Sequence, residues 1–195
     1  MRTFDPASFA PPLHVPVLEA GPVLLRPFET SDLALVRLAA VDPVIPSITS
    51  VPRGYDDDEG RAFIERQFRR GAEGDGYSFV IAERSEPDVG IGSIGLWLEE
   101  IESGRASIGY WVVKSARGHG FAGCALRGVV DFAFGELAIP RLQLFIEPWN
   151  VASIKTAITA GFTREALLRD FERIDGQQHD AECYALLYQD WVPQA

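Results

Sequence analysis

Scarcity bounds this chain first. It has two cysteines, Cys124 and Cys183, set far apart in apolar stretches with no C-x-x-C spacing. That argues against a disulfide framework and a zinc knuckle, and both side chains read as small core residues. No apolar run approaches the roughly 18 residues that a membrane helix needs, and the opening MRTFDPASFAPPLHVP sets prolines and an aspartate where a secretory signal needs an apolar stretch. A cytoplasmic protein with no membrane partner is the expectation. Basic residues are outnumbered, 18 Lys and Arg against 28 Asp and Glu for a net charge of −10, which argues against a nucleic-acid partner because phosphates demand clustered Lys and Arg. The same excess permits attraction of cationic substrates such as amines or basic peptides, although surface acids mostly serve solubility.

What is present fits one globular domain: 195 residues, 47% of them hydrophobic. Residues 1–20 are proline-rich and aperiodic, so an irregular N-terminal arm is expected, with order beginning near Val23 and a single domain over 21–195. Val23 to Pro27 reads as a strand, and Thr30-Ser31-Asp32 supplies helix N-cap chemistry before Leu33 to Leu38. Residues 41–55 read as a loop or short helical turns that border a cleft. The acids Asp56 to Glu59 open a helix that runs toward Arg69 and Arg70, an arrangement favoured by the helix dipole, so the acid run is a cap and no metal is expected.

From Tyr77 the period changes to two, giving strands over 77–83, 91–98 and 106–113 joined by short turns, an antiparallel meander. A buried helix over 121–134, a strand over 141–146, a helix over 151–160 closed by Gly161, and two strands around the Asp175-Gly176 turn complete the chain. The class is therefore mixed α+β, an α/β domain whose central sheet is mostly antiparallel and flanked by helices.

Chemistry concentrates in Val112-Val113-Lys114-Ser115-Ala116-Arg117-Gly118-His119-Gly120-Phe121-Ala122-Gly123, where a strand passes through glycines into a helix. Glycines let backbone N–H groups converge on an anion, the helix start adds unpaired donors and partial positive charge, and Arg117 adds a side-chain cation. This is phosphate-binding geometry. Gly118 to Gly123 also satisfies G-x-G-x-x-G, with Glu147 ending the next strand where a ribose-binding acid belongs, so a nicotinamide-dependent Rossmann oxidoreductase is a rival. Against it, only one strand-helix-strand unit can be drawn, and a meander precedes it.

The same loop, read as Arg-x-x-Gly-x-Ala over 117–122, resembles the pyrophosphate motif of GNAT acetyltransferases, an acyl-coenzyme A N-acyltransferase fold. Ile108-Gly109-Tyr110-Trp111-Val112 looks like the pantetheine-binding strand of the ribosomal-protein-alanine acetyltransferases of RimJ/RimL type. Asn150-Val151-Ala152-Ser153 followed by Gly161-Phe162 is similar to their N-x-x-S…G-F signature, and Leu24 to Asp32 and Asp180 to Leu187 also fit. The resemblance spans about residues 23 to 190. It implies an N-acetyltransferase moving acetyl from acetyl-coenzyme A by direct transfer to a primary amine, either a protein N-terminal α-amine or a small-molecule amine, with no metal.

The residues divide accordingly. The backbone of Trp111, Val112 and Val113 is implied to hold pantetheine and to polarise the thioester oxygen, and the loop residues Arg117, Gly118, His119, Gly120, Phe121 and Ala122 to bind the pyrophosphate. Asn150 is implied to contact the cofactor, though it also suits a helix N-cap. Ser153 is implied to partner the thiolate, since Ala157 stands where many of these enzymes have tyrosine. Glu172 is implied as general base, with an exposed strand glutamate as the alternative. His179 reads as structural. Ser107 and Cys124 replace acids common in the subfamily, which keeps open a non-catalytic acyl-coenzyme A binding or sensing module. No motif speaks to oligomeric state, and a homodimer stays an open expectation.

Overall fold

The structure, a computed structural model, describes residues 3–174 and 176–192. Its elements in chain order are β1 (Leu18–Ala20), β2 (Val23–Pro27), α1 (Leu33–Ala40), α2 (Ile45–Ile48), α3 (Asp57–Glu73), β3 (Gly76–Glu83), β4 (Glu86–Trp97), β5 (Arg105–Val112), α4 (Phe121–Gly135), β6 (Arg141–Ile146), α5 (Val151–Thr159), β7 (Thr163–Ile174) and β8 (Gln177–Leu187). The described residues form one eight-stranded sheet in the order β1-β2-β3-β4-β5-β6-β8-β7. Every pairing is antiparallel except β5 with β6. One parallel pair in an otherwise antiparallel sheet does not build the doubly wound parallel sheet of a dinucleotide fold, and that rival ends here.

Sequence periods and caps explain most boundaries. The Asp56 side chain accepts from the Glu59 N–H at 2.7 Å and starts α3, and Gly74 ends it at φ 88°. Regular structure begins earlier than Val23: β1 pairs with β2 and Phe9 is buried, so part of the proline-rich lead-in packs on the domain. Asp32 does not cap α1 as expected. Its carboxylate accepts from the Glu29 N–H at 2.7 Å and receives both terminal nitrogens of Arg26, at 2.7 and 2.9 Å. Arg26 Nε in turn donates to the Pro87 carbonyl at 2.8 Å, fastening β2 to the start of β4. The hairpin of β7 and β8 forms as expected, with Gly176 at φ 78°, while Asp175 of that turn lies outside the described residues.

Helices α4 and α5 cover one face of the sheet and α1 and α3 the other. Tyr77 and Phe79 meet Phe132 of α4 edge-on, at centroid distances of 5.2 and 6.3 Å. On the opposite face Arg70 of α3 lies 4.2 Å above the Trp97 ring. Among the described residues no helix is long and apolar enough to cross a membrane. Cys183 is buried as expected, whereas Cys124 at the start of α4 is only half-buried.

Candidate active site

The sheet splays open between β5 and β6. β5 and β6 pair only at Arg105↔Arg141, Ala106↔Leu142 and Ser107↔Gln143, and beyond Ser107 no further pairing joins them. The β5 backbone from Ile108 onward therefore has no strand partner on that edge. A cavity of about 540 Å³ fills the gap, lined by Ile108 to Trp111 on one side and Leu144 to Glu147 on the other. That volume is in the range of small-ligand sites.

Strand alternation gives the gap two chemically different mouths. Tyr110 points toward α5, where its hydroxyl donates to the Ser153 carbonyl at 3.2 Å. The Ser153 N–H donates to the Asn150 side-chain oxygen at 3.2 Å, so Asn150 is the N-cap of α5 as well as a cavity residue. Burial pushes the Tyr110 phenol up, with hydrogen bonds to Ser153 and Thr156 opposing, and it stays protonated at neutral pH. Ala157 is fully buried beneath this turn. Tyr110 thus brings a hydroxyl from β5 to the first turn of α5.

The opposite mouth is acidic. Trp97, Ser107 and Gln143 share a face by register, and alternation carries that face to Phe145 and Glu147. On β8 Cys183 pairs with Phe145, and His179 stands four residues further along the same face, opposite Glu172 of β7. His179 Nδ1 lies 2.9 Å from Glu147 Oε1. Glu147 is 8% exposed, and its Oε2 is buried with no hydrogen-bond partner. Burial raises the Glu172 carboxyl above its ordinary value, the Glu147 charge adds to the rise, and His179 opposes it. Glu172 nevertheless keeps an exposed face at the cavity rim. A register shift between Leu168 and Glu172, with Asp170 at φ 50°, swings Phe171 onto Phe145 at 4.7 Å and shapes this mouth.

The glycine loop lies beside the gap rather than in it. Gly118 (φ 83°) and Gly120 (φ 80°) adopt left-handed conformations, and nothing stands within 4 Å of a Cβ placed on either. Gly120 is the N-cap of α4 and has no side chain to occupy the helix's first N–H groups, so the cradle is open to an anion. His119 stacks on Phe121 at 5.5 Å. Trp111, Val112 and Val113 are buried side chains whose backbone leads into the loop. Arg117 Nε donates to the Val112 carbonyl at 3.0 Å and its Nη2 lies 2.8 Å from Asp42 Oδ2, so the guanidinium, 41% exposed, also ties the loop to the α1–α2 connection. Asp42 is buried, which alone would raise its pKa, but the Val44 N–H and Arg117 together hold it below the usual carboxylate range. Only the Asp42-Pro43 pair, a cap-like dipeptide, signals this in the sequence.

A strand edge opened beside a glycine-rich helix start can hold an extended ligand that carries phosphate. The acetyltransferase (GNAT) domain matches residues 23–163. The chain belongs to the GNAT acetyltransferase family and is an acetyltransferase. It is 30% identical over 168 residues to an uncharacterized N-acetyltransferase, p20, of Bacillus licheniformis, covering 86% of this chain and 94% of that one. Among solved structures it is similar to Mycobacterium smegmatis RimJ in complex with a coenzyme A disulfide (26% identity, TM-score 0.77, 94% of this chain and 91% of that chain). RimL, a ribosomal L7/L12 α-N-protein acetyltransferase crystallised with coenzyme A, shares the fold at 21% identity, TM-score 0.78, over 88% of this chain and 98% of that chain. GNAT enzymes use acetyl-coenzyme A as acetyl donor, and membership places this chain among catalysts rather than among non-catalytic binding modules.

Proposed function

We propose that the chain acetylates primary amines, with peptide N-terminal α-amines as the leading class and small-molecule amines as the second. The observation that carries this is the cavity through the sheet, with hydroxyl groups at one mouth and carboxylates at the other. RimL's description as an α-N-protein acetyltransferase supports the peptide class.

Acetyl-coenzyme A, when bound, supplies an activated acetyl thioester. The residues present suit it: the open Gly118–Gly120 cradle for pyrophosphate, and the β5 edge from Ile108 to Val112, which β6 does not pair, for pantetheine amides. Phe121 and Ala122 contribute first-turn N–H groups of α4 to the same cradle, and Asn150 adds a polar contact at the α5 end. Arg117 acts here by fixing the loop through Asp42.

Glu172 removes a proton from the acceptor's ammonium and so frees its lone pair; its raised proton affinity suits that task near neutral pH. As the carbon–nitrogen bond forms and the carbon–sulfur bond breaks, the nitrogen gives up its surplus proton and the departing sulfur takes one from the Ser153 hydroxyl, which regains it from that nitrogen, leaving the amide and the coenzyme A thiol, with Tyr110 locking the Ser153 turn. His119 is a loop residue stacked on Phe121 and takes no proton-transfer role.

The test is a free-thiol assay with acetyl-coenzyme A across alanyl and seryl tetrapeptides, spermidine and an aminoglycoside, preceded by calorimetric titration of acetyl-coenzyme A. Binding together with thiol release dependent on one amine class is expected. No binding at millimolar concentration would overturn the proposal.

A further inference from the structure

Among the described residues, Glu147 is the carboxylate at the cavity wall whose buried oxygen has no donor. Burying an anionic oxygen without a partner costs its full desolvation, and a donor brought to it by a ligand recovers that cost. The side chain is also fixed. His179 holds Oε1 at 2.9 Å, and the backbone enters Pro148 and then the Asn150 cap of α5. Glu147 lines the gap, and Oε2 is its oxygen left without a partner.

The missing partner must bring N–H donors and positive charge. Two carboxylates, Glu147 and Glu172, flank one imidazole at this mouth, and the cations lining the cavity do not settle them: Arg70 belongs to α3, stacked on Trp97 and bonded to Gln67 at 2.7 Å, while Arg173 stands beside Glu172 on β7. A primary ammonium has three donors and a full charge, whereas a hydroxyl has one donor and none.

We propose that Glu147 anchors the acceptor: its Oε2 receives an N–H of the substrate's ammonium and selects cationic primary amines over neutral nucleophiles. This rests on the acetyl-transfer reading above and divides the acidic mouth in two. Glu147 holds the nitrogen, and Glu172 takes the proton. Acetylation turns the nitrogen into a neutral amide with a single N–H, so the anchor that admits the substrate releases the product.

The test uses the full chain saturated with desulfo-coenzyme A, which binds without turnover. n-Butylamine, as its ammonium near neutral pH, and N-butylacetamide are titrated and followed by ligand-observed NMR. A preference of about ten-fold or more for the ammonium is expected, the strength of one charge-assisted hydrogen bond. Glu147→Gln should erase that preference while keeping desulfo-coenzyme A affinity and melting temperature. Glu147→Asp, one methylene shorter, should weaken it, and Glu172→Gln should keep it. Equal affinities in the wild type, or an unchanged preference in both Glu147 variants, would overturn the anchor. A wild type that fails to bind desulfo-coenzyme A would instead sink the acetyl-transfer reading beneath it.

Discussion

Two buried carboxylates in this molecule are treated in opposite ways. Asp32 sits in the intact half of the sheet with both oxygens met by Arg26 and one also by the Glu29 N–H, and Arg26 itself is bonded onward to Pro87 and Asp88. Glu147 sits where the sheet opens, with one oxygen on His179 and the other on nothing. The first arrangement spends its polar groups on holding β2, the helical turn at 30–32 and the start of β4 together. The second leaves a polar group for something that the chain does not itself contain. The contrast separates scaffold from site without reference to any relative.

The largest effect is expected at the open end. Glu172→Gln should lower kcat by about 10²–10⁴-fold, the usual contribution of a positioned general base, with melting temperature unchanged. A variant with wild-type kcat would move the proton transfer elsewhere. At the closed end Asp32→Ala should do the reverse, costing about 3–5 kcal/mol in denaturant unfolding because it strands the buried Arg26, while surviving folded protein keeps its kcat/KM. Gly120→Ala comes next. The Cβ meets no protein atom but enters the left-handed region and the anion cradle, so coenzyme A affinity should fall about ten-fold for a loss of about 1–2 kcal/mol in stability.

A pH profile sharpens the contrast further. Glu172 acts as base only when ionised, and its pKa is raised first by burial and then by the Glu147 charge, with His179 opposing. The acidic limb of kcat/KM should therefore lie above the ordinary glutamate value of 4.5, with activity lost as pH falls through it. Glu147→Gln removes the charge contribution and should move that limb downward. An unmoved limb would show that burial alone sets it. The smallest effect belongs to the exposed Arg37–Asp57 pair, 3.2 Å apart: Arg37→Ala should leave both activity and melting temperature unchanged.

Much of the scaffold was legible because local signals coincide with the elements they specify. Val23–Pro27 and Arg141–Ile146 start and stop where their apolar runs do, and the Asp56 cap and Gly74 delimit α3. The glycine loop and Asn150 were legible because backbone chemistry there depends on residue type. What escaped depends on partners distant in sequence. Asp32 reads as a helix cap until β2 brings Arg26 to it, and nothing beside Arg117 in the chain signals Asp42, 75 residues away, as its ion-pair partner. Glu147 drew notice only as a ribose acid of the wrong fold, and His179 as a structural residue. Neither reading anticipated that β6 and β8 lie side by side and join the two at one cavity. The Tyr110 hydroxyl was hidden because it meets Ser153, 43 residues on, only when β5 and α5 pack together.

On the proposed function, the gap between β5 and β6 brings thioester and amine together from opposite faces of the sheet. A bisubstrate analogue, coenzyme A joined through an acetyl linker to the nitrogen of an alanyl tetrapeptide, measures this directly by calorimetry. If both faces open into one site, it should bind at least about 10²-fold more tightly than coenzyme A alone, as expected when two bound pieces are linked in a geometry that the site accepts. An affinity equal to that of coenzyme A would mean that the two mouths do not communicate, and would contradict the account.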